Sequence, residues 1–130
     1  MFDLPKLTAL YFFRFKKGAK EMEMLKLNEI EEFENLDTTL WGIRQPHLNS
    51  KSESYHLSGP LDLVLTPSVA FTLDGKRLGH GKGFYDQFFA SHQKMFNKMP
   101  FKVGLGLKEQ IVADLPISDF DVLMDIVISP

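Results

Sequence analysis

The chain contains no cysteine among its 130 residues. That excludes disulfide bonds, thiolate metal sites and a thiol nucleophile, and it fits a reducing compartment. No stretch approaches the ~20 apolar residues of a membrane span. A secretory signal is not expected either. The N-terminal stretch MFDLPKLTALYFFRFKKG holds an acid and a proline where basic charge belongs, and its apolar run ends in Arg14, Lys16 and Lys17 without a small-residue cleavage site. An excess of one charge is also missing: 15 Lys+Arg against 17 Asp+Glu leave a formal net charge of −2. A general nucleic-acid binder would normally be basic. These absences lead to the expectation of a cytoplasmic protein without membrane or nucleic-acid partners.

What is present is ordinary for a globular domain: 44% hydrophobic and 25% charged residues. The length suggests one domain, residues 1–130, with a real core. Charge is spread evenly, with 8 basic and 9 acidic side chains in residues 1–60 and 7 and 8 in residues 61–130. Leu7–Phe15 reads as a buried aromatic strand ended by the turn-like KKGAK. Met22–Leu27 alternates in part and suits a neighbouring strand. Asn28, with Glu31 three residues on, predicts a capped helix that buries Ile30, Phe33 and Leu36. The polar segment 49–60 reads as an exposed loop, and Trp41 to Pro46 is the least filler-like part of the stretch before it. Leu61–Leu65, stopped by Thr66-Pro67, suits a central parallel strand. Tyr85, Phe88, Phe89, His92 and Phe96 fall on one 3.6-residue stripe, which predicts a helix over about 83–97. Phe101–Leu107 and Leu123–Ile128 complete an α/β pattern, a layered and mostly parallel sheet with flanking helices.

Four of the nine glycines lie between Gly75 and Gly83, in GKRLGHGKGFYD. Clustered glycines let backbone N–H groups converge, because no Cβ blocks positive φ. The helix that begins at once adds its unpaired amides and the positive end of its dipole. Arg77, His80 and Lys82 add donors and cationic charge, as a polyphosphate site requires. The pattern is neither G-x-x-x-x-G-K-[ST] nor G-x-G-x-x-G, and Phe84 stands where a magnesium-holding hydroxyl would be. A turn that merely reverses the chain is the plainer reading of the glycines. Asp86, in the first helical turn, either complements the dipole or ligates magnesium beside phosphates.

The run LDLVLTPSVAFTLDGKRLGHGKGFYDQFF closely resembles the signature region of the 5-formyltetrahydrofolate cyclo-ligases, also called methenyltetrahydrofolate synthetases. Pro67, Ala70, Phe71, Arg77, Leu78, Gly79, Gly81, Gly83, Tyr85 and Asp86 carry the match. It extends into FKVGLGLKEQIVADLP and DFDVLMDIVIS and, more diffusely, back through WGIRQP and MEMLKL, covering about residues 9–129. The resemblance implies an α/β enzyme that uses Mg-ATP to close 5-formyltetrahydrofolate to 5,10-methenyltetrahydrofolate. It implies that Arg77, Leu78, Gly79, His80, Gly81, Lys82, Gly83, Phe84 and Tyr85 bind ATP. Residues His80 to Phe84 and Trp41 would meet the folate substrate, with Trp41 and Tyr85 as stacking candidates. Lys82 would be catalytic by neutralising the transferred phosphoryl group, and Asp86 and Asp121 would hold magnesium. A monomer acting on a small-molecule folate is expected.

The sequence also departs from the family's pattern. His80 stands where arginine is usual, which exchanges a permanent cation for a group mostly neutral at pH 7. Ser68, Thr72, Phe84 and Phe13 replace a glycine, an aspartate, a tyrosine and a proline. The family's basic N-terminal helix, which grips ATP phosphates, has no counterpart before Leu7. Slow turnover is therefore expected. A shortened nucleotide- or folate-binding protein without turnover is the alternative, and an RNA-linked interaction module is disfavoured by the charge. Several residues keep plain readings: Gly104 and Gly106 allow close approach of a helix or a ligand, His92 packs, and Asp121 and Asp125 alone would read as solvated.

Overall fold

The computed structural model describes residues 9–15, 18, 20–27, 30–38, 44–46, 52–79 and 81–130, without the side chains of Ile30, Asp37 and Thr38. The expected helix start at Asn28, and Trp41 and His80 among the site candidates, lie outside these residues. Contacts gather into two compact units, Met1–Gly59 and Pro60–Pro130.

In the first unit, β1 (Leu10–Arg14) and β2 (Glu23–Leu27) pair antiparallel, with Leu10 opposite Leu27 and Arg14 opposite Glu23. Gly18 supplies the positive φ (+81°) of the connection, a conformation that costs glycine nothing. Met22, Met24, Leu25 and Leu27 are buried. Arg14 is buried too, and its Nε donates to Glu23 Oε2 at 2.8 Å. Helix α1 (Ile30–Glu34) follows, and then the short antiparallel pair β3 (Asp37–Thr38) and β4 (Arg44–Gln45). The expected burial of Phe33 is corrected. It stays 37% exposed, because five residues make too short a helix to bury a full stripe, and its ring lies 5.2 Å from that of Phe12.

The exposed loop expected over 49–60 is also corrected in its second half. Helix α2 (Tyr55–Ser58) forms there, and the Ser54 hydroxyl accepts from the His56 N–H. Tyr55 is almost fully buried. An antiparallel bridge between Leu25 and Ser54 and a hydrogen bond from Lys26 N to Glu53 O tie the segment to β2. One aromatic in a polar run thus anchors it.

The second unit contains the parallel sheet, in the order β5 (Leu63–Thr66), β8 (Phe101–Leu105), β9 (Ile126–Ile128). Between β5 and β8 come the hairpin β6 (Ala70–Phe71) and β7 (Arg77–Leu78) and helix α3 (Phe84–Phe96). The chain is therefore α/β, with parallel pairing confined to this unit. Among the described residues β5 is an edge strand and β8 the central one, the reverse of the sequence reading. β8 pairs on both sides and is buried through its middle, at Lys102, Val103 and Gly104, whereas β5 alternates exposed and buried.

The aromatic stripe of α3 forms as predicted. Phe88, Phe89 and His92 are buried, and the rings of His92 and Phe96 lie 4.9 Å apart. Asn97 ends the helix in the left-handed conformation, its N–H bonded to Gln93 O. His92 accepts from Leu61 N through Nε2 at 2.9 Å, and its Nδ1 lies 2.6 Å from Lys98 O, so the neutral Nδ1–H tautomer satisfies both. Gly104 and Gly106 allow close approach of the Phe71 ring and not of a helix backbone: a Cβ on either would meet that ring, at 2.5 Å for Gly104 and 3.0 Å for Gly106.

Candidate functional site: a glycine turn at the start of a helix

Strand β7 delivers Arg77 and Leu78 directly into the turn at Gly79–Gly83, and α3 begins at Phe84. Gly81 (φ +89°) and Gly83 (φ +66°) take positive φ, which a side chain at either position would oppose. A Cβ at Gly81 would meet nothing within 4 Å, so its positive φ, and not crowding, is what calls for glycine there. Gly83 is the N-cap of α3 and has no side chain to satisfy the first amides. Gln87 N is the first to find a helical partner, Gly83 O at 2.9 Å. The N-terminal end of α3, and with it the positive end of the helix dipole, therefore lies at this turn. Lys82 is exposed beside them. Gly75, by contrast, belongs to the β6–β7 turn, where its φ of +101° and its contact with Met124 O leave no room for a Cβ.

Arg77 is not the mobile cation that the sequence suggests. Its side chain is almost wholly buried, with NH2 3.8 Å from Asp86 Oδ2. NH1 donates to Pro67 O at 3.4 Å, and the guanidinium lies 5.3 Å over the Tyr85 ring. Its buried Nε has no hydrogen-bond partner, and neither has the buried Thr66 Oγ1 at the end of β5. Burial pushes the Tyr85 hydroxyl up to about 12 against the lowering pull of Arg77, so it remains a donor at neutral pH.

The structure brings Asp86 together with the acidic segment around Asp121. Val122 N donates to Asp86 Oδ1 at 3.0 Å, and Ser118 N donates to Asp121 Oδ2 at 2.8 Å. The other Asp86 oxygen, Oδ2, is the one that faces the Arg77 guanidinium. Among the described residues there is no group of three or more His, Cys, Asp and Glu side chains able to hold a metal ion.

Two ties of this segment escaped the sequence reading. Met124 N donates to Gly75 O at 2.8 Å. Asp125, read as solvated, accepts from Lys102 N at 2.7 Å and pairs with Lys102 Nζ at 3.0 Å. Burial alone would raise the Asp125 carboxyl, but the hydrogen bonds from Lys102 outweigh it and hold it low. The signal was a lysine alternating with apolar residues inside FKVGLGL, a place a charge occupies only when paired. Gln110 was also missed. Its amide donates to Ser68 O and accepts from Leu107 N, at 2.9 and 2.7 Å, and it lines an open recess of about 420 Å³ with Leu105, Leu107 and Ile128. No residue singled out from the sequence as a site residue lines that recess.

The strand, glycine turn and uncapped helix beside a parallel sheet define the class: an α/β protein with its candidate site at a helix N-terminus. More narrowly, the chain belongs to the 5-formyltetrahydrofolate cyclo-ligase family, whose sequence pattern matches residues 6–130. It is 52% identical over 116 residues to a probable 5-formyltetrahydrofolate cyclo-ligase of Caenorhabditis elegans, covering 88% of this chain and 56% of that one. It is 35% identical over 115 residues to the 5-formyltetrahydrofolate cyclo-ligase of Mus musculus, covering 86% and 55%. The structure of Aquifex aeolicus 5,10-methenyltetrahydrofolate synthetase matches with a TM-score of 0.63 at 26% identity, over 93% of this chain and 55% of that one. The Mycoplasma pneumoniae 5,10-methenyltetrahydrofolate synthetase shares the fold, with a TM-score of 0.57 at 19% identity. The chain spans about half the length of the relatives it matches.

Proposed function

We propose that this chain carries the ATP-phosphate side of a ligase that closes 5-formyltetrahydrofolate to 5,10-methenyltetrahydrofolate, releasing ADP and phosphate. The observation that carries the reading is the Gly79–Gly83 turn, with positive φ at Gly81 and Gly83 and an uncapped helix start beside exposed Lys82. Family membership supplies the substrate class. The amides of the turn and the N-terminal end of α3 hold the ATP phosphates, and Lys82 neutralises the charge on the transferred group. Such positioning and electrostatic work supplies most of the rate in phosphoryl transfer. Arg77 contributes from behind by fixing the Tyr85 ring. Trp41 and His80 complete the substrate-binding set.

The chemistry balances in two steps. The formyl oxygen attacks the γ-phosphorus, the bond from that phosphorus to the β,γ-bridging oxygen breaks, and ADP leaves. N10 then attacks the activated formyl carbon, the carbon–oxygen bond breaks with phosphate as the leaving group, and the N10 proton passes to water. Asp86 and Asp121 would hold a magnesium ion, which suits a site of one or two carboxylates completed by phosphate oxygens and water. Bound there, the ion would screen the phosphate charge.

Calorimetric titration with Mg-ATP, followed by assay of the methenyl chromophore and ADP, tests the reading. Binding with stoichiometric product and ADP is expected. Binding without product at high protein concentration would overturn the ligase and leave a nucleotide-binding protein.

A further inference from the structure

Phe120 is 87% exposed, more than any other large apolar side chain among the described residues. Phe71, Phe88 and Phe89 of the same unit are buried, so the core is supplied with aromatic rings without it. A single exposed apolar side chain needs no explanation in itself. The position of this one does. Its segment is fixed against the glycine turn and not left loose. Asp121 N donates to Ser118 O at 3.1 Å and Ser118 N to Asp121 Oδ2 at 2.8 Å, which closes a turn with Phe120 inside it. Just beyond, Val122 N donates at 3.0 Å to Asp86 Oδ1 in the first turn of α3. Met124 N donates to Gly75 O at 2.8 Å. The ring thus stands two residues from a direct bond to the helix that starts at Gly83. Ile117 and Leu123 are exposed on either side of it.

We propose that Phe120 is a binding residue for the purine base of the nucleotide, which stacks on its ring while the phosphates occupy the glycine turn. The inference rests on the phosphate reading of that turn and deepens it by naming what holds the other end of the ligand. A phenyl ring offers a flat face to a heteroaromatic ring whatever the ring's hydrogen-bonding edge. The four hydrogen bonds that fix the segment hold that face ready, so little ordering is left for binding to pay. Charge selects the purine over the folate ring. Residues 115–123 carry Asp119 and Asp121 and no basic side chain, which repels a folate through the carboxylates of its glutamyl tail. The purine is uncharged, and the phosphates attached to it lie beside Lys82, on the turn.

The test compares two ligands of the 130-residue chain by calorimetry. One is a non-hydrolysable Mg-ATP analogue; the other is Mg-tripolyphosphate, which has the phosphate chain and no base. Phe120→Ala should weaken the analogue about tenfold, the scale of one lost base–aromatic stack, and leave tripolyphosphate and 5-formyltetrahydrofolate binding unchanged. Phe120→Trp should restore the affinity for the analogue. Its added indole fluorescence should be quenched by the analogue and not by tripolyphosphate. Melting temperatures should agree, because Phe120 is exposed, and Phe120→Leu replaces the alanine variant if that one melts early. Analogue affinity indifferent to Phe120→Ala, or equal losses for both phosphate ligands, would overturn the stack and leave the phosphate reading standing. A loss confined to 5-formyltetrahydrofolate would overturn it too, by giving the ring to the folate. A wild-type chain that binds neither phosphate ligand would overturn the phosphate reading and this inference together.

Discussion

In the Met1–Gly59 unit two separate two-stranded sheets pair strands adjacent in sequence, β1 with β2 and β3 with β4, both antiparallel. In Pro60–Pro130 the sheet pairs β5 with β8 across a hairpin and a helix, and β8 with β9 across a further irregular segment. Local pairing lets the first unit form from alternating patterns and a single anchored aromatic, Tyr55. Remote pairing asks for special residues: glycines where Phe71 approaches the backbone, a buried Lys102 paired with Asp125 and the His92 bridge. The candidate chemistry sits with the remote pairing, because the carboxyl end of β7 and the start of α3 meet where the chain cannot be regular.

The contrast can be broken most forcefully at Phe71. Phe71→Ala removes the ring packed on Gly104 and Gly106 and should cost about 3–5 kcal/mol, read by urea unfolding with hydrogen exchange at β5 and β8. A loss below 1 kcal/mol would show that the second sheet does not depend on this contact. Lys82→Ala tests whether the turn does chemistry as well as folding. It should lower turnover by about a hundred- to a thousandfold, the scale of losing one preorganised charge-stabilising group, with an unchanged melting temperature because Lys82 is exposed. Unchanged kinetics would remove Lys82 from the mechanism.

Glycines sharpen the comparison. Gly104→Ala forces a Cβ into the Phe71 ring and should destabilise by about 1–3 kcal/mol. Gly18→Ala in the first unit meets nothing within 4 Å but keeps a φ of +81°, so about 1 kcal/mol is expected from backbone strain alone. Equal costs would mean that close approach is not what the second unit needs from its glycines.

The smallest effect bears on the second unit through pH. Burial lowers the His92 value from 6.5, with the Lys98 carbonyl opposing. The unfolded chain therefore takes up the proton first. Stability from His92 is complete above about 6.5 and falls as pH drops through the lower folded value. Urea midpoints should decline from pH 7.5 to 5 in the wild type and less steeply in His92→Gln.

The aromatic stripe of α3 and the glycine turn were legible because a 3.6-residue period and positive-φ glycines leave marks in a single segment. Position within the sheet was not legible: LDLVL looks central by composition, yet β5 lies at the edge. Long-range ties were equally silent. Nothing near Asp125 announces Lys102, and nothing near Asp86 announces the Val122 amide. Arg77 was recognised as a site residue, but its inward turn over Tyr85 depends on Pro67 and Asp86 together. Tyr55 was hidden by polar neighbours that do mark exposure at His56 and Leu57 but not at the residue between the cap and them.

The most direct test follows backbone amide resonances of the 130-residue chain during titration with a non-hydrolysable Mg-ATP analogue. Saturable shifts centred on Gly79, Gly81, Lys82, Gly83 and Phe84 are expected, with weaker ones at Asp121 and Val122. Shifts confined to other residues, or none at millimolar nucleotide, would contradict a phosphate site at the glycine turn.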